Sequence, residues 1–141
     1  AAAQFGLYRY SKKAGWQAVR LPLQKGYEDD EVAQSCMERR VSQISGGERR
    51  YLEAKLLLLG NAKFVLLDEP FDYLSFHLVD KLIGLIKKHS EEKGIVIADH
   101  NYEKVLEVVN RLVLIREGVL MELTDKRGLV EQGYLLDESY L

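Results

Sequence analysis

The chain has 141 residues, 20 Lys plus Arg against 22 Asp plus Glu, and a net charge of −2, which suits one domain and little more and gives no support for affinity built on phosphate-backbone attraction. Hydrophobic residues make up 47% and charged residues 30%, an ordinary globular mix, and the single cysteine, Cys36, permits no intrachain disulfide and fits a reducing, intracellular setting. The longest apolar runs are four residues, such as Leu56–Leu59, against the roughly 20 that a membrane span needs, and the first residues, Ala1-Ala2-Ala3-Gln4-Phe5, lack the basic lead and apolar stretch of a secretory signal.

Residues 1–43 form a poorly patterned lead, punctuated by Gly6, Gly15, Pro22 and Gly26. Phe5–Tyr10 and Ala18–Leu21 have weak strand character. From Asp29 the pattern sharpens. Asp29 or Asp30 can cap a helix that carries Val32, Ala33, Cys36, Met37 and Val41 roughly on one stripe. The acidic cluster Glu28–Glu31 reads as a solvated first turn, favoured by the helix dipole.

Ser45 begins the next helix. Glu48 lies at capping-box spacing, and the helix is expected from about Gly47 to Leu59, with Gly60-Asn61 as the stop. Lys63–Leu67 is a continuous apolar strand of the kind found where both faces of a sheet are covered. Ser75–Ser90 is an amphipathic helix with Val79, Leu82, Ile83 and Ile86 at helical spacing. Gly94 ends the connection, and Ile95–Ala98 is a second apolar strand. A helix follows from Tyr102 to Val109, with Val105, Leu106 and Val109 facing inward. Arg111–Arg116, the turn Glu117-Gly118 and Val119–Leu123 form a hairpin, and a short tail helix is expected around Asp125–Gln132. Strand, helix, strand, helix, strand is the pattern of an α/β layered fold with a largely parallel sheet.

Three clusters carry chemistry, each at the end of an element, where open α/β sheets place reactive groups. Asp68-Glu69 follows the strand that ends at Leu67. The first carboxylate is placed to hold a magnesium ion and the second to polarise a water for attack on phosphorus. By itself, an apolar run ending in Asp-Glu is as readily a solvated strand end. Ile44-Ser45-Gly46-Gly47-Glu48 puts two glycines at a helix N-terminus, where backbone N–H groups can approach an anion; alone it is equally a plain cap. Asp99-His100-Asn101 follows the second strand. An imidazole there can donate to a phosphate or orient a water, although a lone histidine in such a place more often caps the next helix.

Order and spacing change this weighing. Asp68 lies 23 residues after Ser45, and His100 lies 32 after Asp68. In that arrangement the chain resembles the C-terminal half of an ATP-binding-cassette (ABC) ATPase. Ile44-Ser45-Gly46-Gly47-Glu48 is similar to the family's LSGGQ signature, and Phe64–Pro70 resembles its Walker B strand. His100 matches its switch histidine, and residues 71–75 fall at its D-loop. The match is good over 44–123, weaker from there to 141, and leaves 1–43 unmatched. Gly46–Arg50, Asp68–Phe71 and Ala98–Asn101 look most like the lipopolysaccharide-export and branched-chain amino-acid groups.

The resemblance implies a partial P-loop NTPase fold, a largely parallel sheet flanked by helices, with residues 1–43 as a remnant of the helical subdomain and 44–141 as the C-terminal half of the ATPase domain. It implies ATP and Mg2+ as cofactors. Asp68 would support the metal, Glu69 would be the general base, and His100 would contact the γ-phosphate. Ser45, Gly46, Gly47 and Glu48 would belong to the nucleotide site of an opposing subunit. The implied partners are a second ABC ATPase subunit, most simply a homodimer, and transmembrane permease subunits, with no nucleic acid. The implied place is cytoplasmic, on the inner face of the cell membrane.

Departures accompany the matches. No G-x-x-x-x-G-K-[ST] occurs in the 141 residues, so ATP affinity of the isolated chain is expected to be poor, and a lone piece is expected to leave an open-edged sheet, and so to be either poorly stable alone or completed by another chain. Ser75 stands where the D-loop usually has aspartate, and Glu48 where the signature has glutamine. Three readings follow: a transporter ATPase subunit, a non-transport ABC ATPase of DNA repair or translation, and a non-hydrolysing half-cassette that lends its signature to a partner's site. Arg49-Arg50 is expected to face solvent or the nucleotide interface.

Overall fold

Asp30 has an extended backbone, and its carboxylate accepts from the N–H groups of Val32 and Ala33, so it starts helix α1 (Glu31–Met37) as the N-cap. The computed structural model describes residues 7–11, 15–19, 27 and 29–136. Two weak strand signals in the lead become an antiparallel hairpin, β1 (Leu7–Ser11) and β2 (Gly15–Val19), in the register Leu7↔Val19 to Ser11↔Gly15. Phe5, Arg20 and Leu21, which the sequence reading also assigned to strands, and the side chains of Met37 and Val41 lie outside the described residues. The chain divides into two compact units, one ending at Ala98 and one starting at Asp99.

In the first unit, a 3-10 turn (Val41–Gln43) leads to α2 (Gly46–Leu59), then β3 (Phe64–Asp68), α3 (Phe76–His89) and β4 (Gly94–Ala98). The boundaries follow the local chemistry. Ser45 caps α2, and Gly60 N–H donates to the carbonyls of Leu56 and Leu57 at its end. Ser75 and Ser90 flank α3, whose last turn carries Lys87, Lys88 and His89 toward the negative end of its dipole. β3 and β4 pair in parallel from Phe64↔Gly94 to Asp68↔Ala98, as a strand–helix–strand crossover requires. α2 packs on both α3 and β3. Leu52, Leu58, Leu82 and Ile86 are almost fully buried, and Ala33, Cys36 and Leu56 join α1 to this core. Each such leucine or isoleucine contributes about 1.5–3 kcal/mol by leaving water.

Two expectations are corrected in this unit. The strand at 64–68 alternates rather than being covered on both faces: Val65 and Leu67 are buried, whereas Phe64 and Leu66 are 75% and 76% exposed. Among the described residues no element covers the second face. The acidic cluster before α1 is also not simply solvated. Asp29 and Glu31 are exposed, but Asp30 is buried. Its Oδ2 accepts from Lys55 Nζ and from Tyr51 Oη, both at 2.5 Å, and Lys81 Nζ stands 3.5 Å from Oδ1. A buried carboxylate persists where a buried cation and hydrogen bonds replace its water.

The second unit holds α4 (Tyr102–Leu106), the hairpin β5 (Leu112–Arg116) and β6 (Val119–Leu123), and α5 (Arg127–Glu131). α4 is shorter than its apolar pattern predicts. The N–H groups of Val108 and Val109 both converge on the Val105 carbonyl, which closes the helix as a tight turn. Val105 is buried, while Leu106 and Val109 are half-buried. The two-residue hairpin turn has φ of 51° at Glu117 and 77° at Gly118, both in the region that a primed turn demands. Leu114, Leu123 and Leu129 form the core of this unit, with Tyr102, Leu106, Leu112, Met121 and Leu135 packed around it.

Candidate functional site

The first turn of α2 is a complete capping box. Ser45 Oγ accepts from Glu48 N–H at 3.1 Å, and Glu48 Oε2 accepts from Ser45 N–H at 2.8 Å. Arg39 completes the arrangement by donating to Glu48 Oε1 at 2.6 Å. Its guanidinium, followed by the Ser45 N–H, holds the Glu48 carboxyl well below the usual carboxylate range, at about 2. One Glu48 oxygen therefore serves the cap and the other holds Arg39. Ser45 uses its oxygen as acceptor, and its side chain also hydrogen-bonds the Glu48 carboxylate. Gly46 and Gly47 are the first helical residues, whose N–H groups have no acceptor within the helix.

The two glycines have different reasons to be glycine. A Cβ on Gly46 would meet nothing within 4 Å, so this position is open to an approaching group. A Cβ on Gly47 would lie 2.6 Å from the Tyr73 carbonyl oxygen and 3.6 Å from Leu74 Cα. Gly47 is thus the point at which the segment after β3 passes over α2.

That segment begins with the sequence-predicted carboxylates. Asp68 is the last residue of β3, and both Asp68 and Glu69 are exposed. Glu69 has φ of 46° and Tyr73 has φ of 61°, left-handed values that cost a non-glycine residue about 1–3 kcal/mol and persist only where the surroundings hold them. The holding groups are visible. Glu69 N–H donates to the Ala98 carbonyl of β4 at 2.7 Å, and Asp72 N–H donates to the Glu69 carbonyl at 3.2 Å. Buried Pro70 and Phe71 anchor the segment to the core.

Arg50, expected to face solvent or the nucleotide interface, turns toward the strand end that carries Asp68 and Glu69. Its Nη2 donates to the Glu69 carbonyl at 2.9 Å and reaches the Asp68 carbonyl at 3.4 Å, and its Nε is buried without an acceptor. Its neighbour Arg49 is exposed and sits 3.8 Å from Glu53, one helical turn on. The first unit therefore brings Ser45, Gly46, Gly47, Glu48, Asp68 and Glu69 onto two adjoining segments tied by Arg50 and by the close pass at Gly47. No sequence signal marks Arg50 for this work, because its partners are backbone carbonyls 18 and 19 residues away.

His100 lies in the second unit, directly after its first residue, Asp99. Its imidazole is exposed, with Nδ1 3.8 Å from Asp99 Oδ1. Its carbonyl accepts from Tyr102 N–H at 3.0 Å and stands 3.5 Å from Tyr134 Oη. Asn101, rather than His100, caps α4, accepting from Lys104 N–H. The imidazole is thus not the cap of the following helix.

No family model matches the chain. Over 81 residues it is 37% identical to the lipopolysaccharide export system ATP-binding protein LptB of Haemophilus influenzae, a match that takes in 55% of this chain and 33% of that protein. Over 93 residues it is 34% identical to the glutathione/L-cysteine transport system ATP-binding/permease protein CydC of the same organism, covering 64% and 16%. The thiamine import ATP-binding protein ThiQ of Histophilus somni is 32% identical over 88 residues, covering 61% and 41%. The chain thus spans well under half the length of these curated relatives. A solved chain from work on ATP-driven dimerization and DNA-stimulated activation of SMC ATPases is similar in fold, with a TM-score of 0.53 and 19% identity over 71% of this chain and 66% of that one. Among the described residues no helix is long and apolar enough to cross a membrane.

Proposed function

We propose that this chain, which is part of an ABC ATPase domain, serves as the signature and Walker B portion of an ATP-hydrolysing transporter subunit, coupling ATP hydrolysis to movement of a separate permease. The observation that carries the reading is the carboxylate pair Asp68–Glu69 at the C-terminal end of a parallel strand, with Glu69 in a left-handed backbone pinned from both sides. Strain of that kind is retained where geometry serves chemistry. The curated relatives, all named as ATP-binding proteins of transport systems, support it.

The residues divide the work as follows. Exposed Asp68 is suited to hold Mg2+, directly or through water, and the ion when bound neutralises phosphate charge. Glu69 takes the proton from the attacking water. His100 donates to the γ-phosphate. Ser45 O–H and the N–H groups of Gly46 and Gly47 meet the nucleotide of an opposing subunit, and the open space over Gly46 suits that approach. Glu48 acts beneath them by fixing the cap. A second ATPase subunit and membrane permease subunits are the partners. Residues 44–141 then form the C-terminal half of the ATPase domain, residues 1–43 belong to its helical subdomain, and the assembly works at the cytoplasmic face of the membrane.

The test is ATP turnover by the complete subunit in its membrane complex, with Glu69→Gln as the variant. Turnover is expected to fall by about 100-fold or more, within the range general-base loss produces, with nucleotide binding retained. Retained turnover would overturn the assignment of Glu69. Nucleotide binding with no turnover by the unaltered complex would replace this reading with the half-cassette that only lends its signature.

A further inference from the structure

We infer that Arg50 is a positioning residue, which holds the Glu69 backbone in its left-handed conformation and so sets where the Glu69 carboxylate stands. The inference rests on the reading of Glu69 as the base, but its structural half does not.

A residue's φ and ψ are fixed when its N–H and its C=O are both held. Glu69 N–H is held by the Ala98 carbonyl at 2.7 Å, so β4 sets one side of the residue. The other side is the carbonyl, and there the donors are Asp72 N–H at 3.2 Å and the Arg50 guanidinium at 2.9 Å. The Asp72 bond is local and closes the turn. The Arg50 bond comes from another element, α2. Because Nη2 also reaches the Asp68 carbonyl, one guanidinium spans the two peptide groups on either side of the Glu69 Cα. A charged donor makes a stronger bond to a carbonyl than a neutral one, and here it falls on the residue whose left-handed backbone needs holding.

Arg50 is itself prevented from wandering. It sits in the second turn of α2, whose first turn is locked by the capping box and Arg39. The same helix meets the same segment again where Tyr73 O passes Gly47. Both contacts leave the one Nη2, so lysine at this position keeps a charged donor but loses the planar guanidinium, with its buried Nε, that aims it at the strand end.

The structural half is tested by amide hydrogen exchange in the full chain, comparing the unaltered protein with Arg50→Lys, Arg50→Met and Glu69→Gly. Protection of Asp72 N–H and Glu69 N–H is expected to fall about tenfold or more in Arg50→Met. It should fall less in Arg50→Lys, and α2 amides beyond Leu52 should keep theirs. Because glycine adopts the left-handed region without strain, Glu69→Gly is expected to make Asp72 protection insensitive to Arg50→Met. Unchanged protection at Asp72 in Arg50→Met, or an equal loss in the Glu69→Gly background, overturns the inference. Equal loss throughout α2 does so too, since Arg50 would then only support the fold.

The functional half uses the complete complex. Arg50→Lys is expected to lower kcat about tenfold with KM for ATP nearly unchanged, and to have no further effect on residual turnover in Glu69→Gln. A raised KM with unchanged kcat would mean that Arg50 touches nucleotide and would overturn the inference. If the unaltered complex fails to hydrolyse ATP, the reading of Glu69 fails while the exchange data still decide what Arg50 holds.

Discussion

The adjacent glycines of α2 give opposite predictions for one chemical change. Gly46→Ala adds a methyl group to open space, with nothing within 4 Å. Alanine narrows the unfolded chain and favours helix, so this change should stabilise by about 0.5–1 kcal/mol. Gly47→Ala makes the same gain but drives its methyl to 2.6 Å from Tyr73 O, a backbone atom that a rotamer change cannot move. Overpacking of that kind costs about 1–3 kcal/mol, leaving a net loss of about 1–2 kcal/mol. The two variants should therefore differ by about 2 kcal/mol. The measurement is the urea dependence of amide exchange at Leu56 and Leu58, whose protection reports on the first unit alone. Equal stabilities would refute the close pass of the 70–74 segment over α2, and with it the argument that Gly47 is glycine for tertiary reasons. A Gly46→Ala that destabilises as much as Gly47→Ala would instead point to a backbone requirement shared by both.

Three further outcomes follow from the same structure. Burial alone would push the Asp30 carboxyl up, but the hydrogen bonds from Lys55 and Tyr51 outweigh it and hold the group at about 2. Its stabilisation, about 2 kcal/mol, should be present above the ordinary value of 3.8 and be lost as pH falls toward 2. Asp30→Asn should cost about 3–5 kcal/mol at neutral pH by leaving Lys55 buried and unpaired. It should also flatten that pH dependence in acid titrations of unfolding, and the double variant with Lys55→Met should regain most of the loss. Glu48→Gln keeps an acceptor for Ser45 N–H but loses the charge facing Arg39, so it should cost about 0.5–1 kcal/mol by urea unfolding at pH 7. That difference should shrink as pH drops from 4.5 toward 2, the interval through which Glu48 is held ionised. Glu117→Asn places at φ of 51° a residue that tolerates it, and should raise exchange protection across β5 and β6 by about threefold or more, from a gain of about 0.7 kcal/mol.

What could be read from the sequence was whatever neighbours along the chain decide. The Ser45–Glu48 box, the Asp30 cap, the Glu117-Gly118 turn and the apolar spacing of α3 each depend on residues within about one helical turn, and each formed where expected. The carboxylates at the end of β3 and the histidine after β4 could likewise be named, since an apolar strand ending in a polar residue is a local pattern. The tertiary structure decided the rest, because the deciding partner was remote. Asp30 looks like one of a solvated acidic run until Tyr51 and Lys55, 21 and 25 residues on, enclose it. Arg50 looks like a surface cation until the strand end supplies two carbonyls. Gly47 looks like its neighbour until Tyr73 passes over it. The uncovered face of Phe64 and Leu66 belongs to the same class. An apolar strand declares which residues seek burial, but only the packing of other elements determines which of them obtain it.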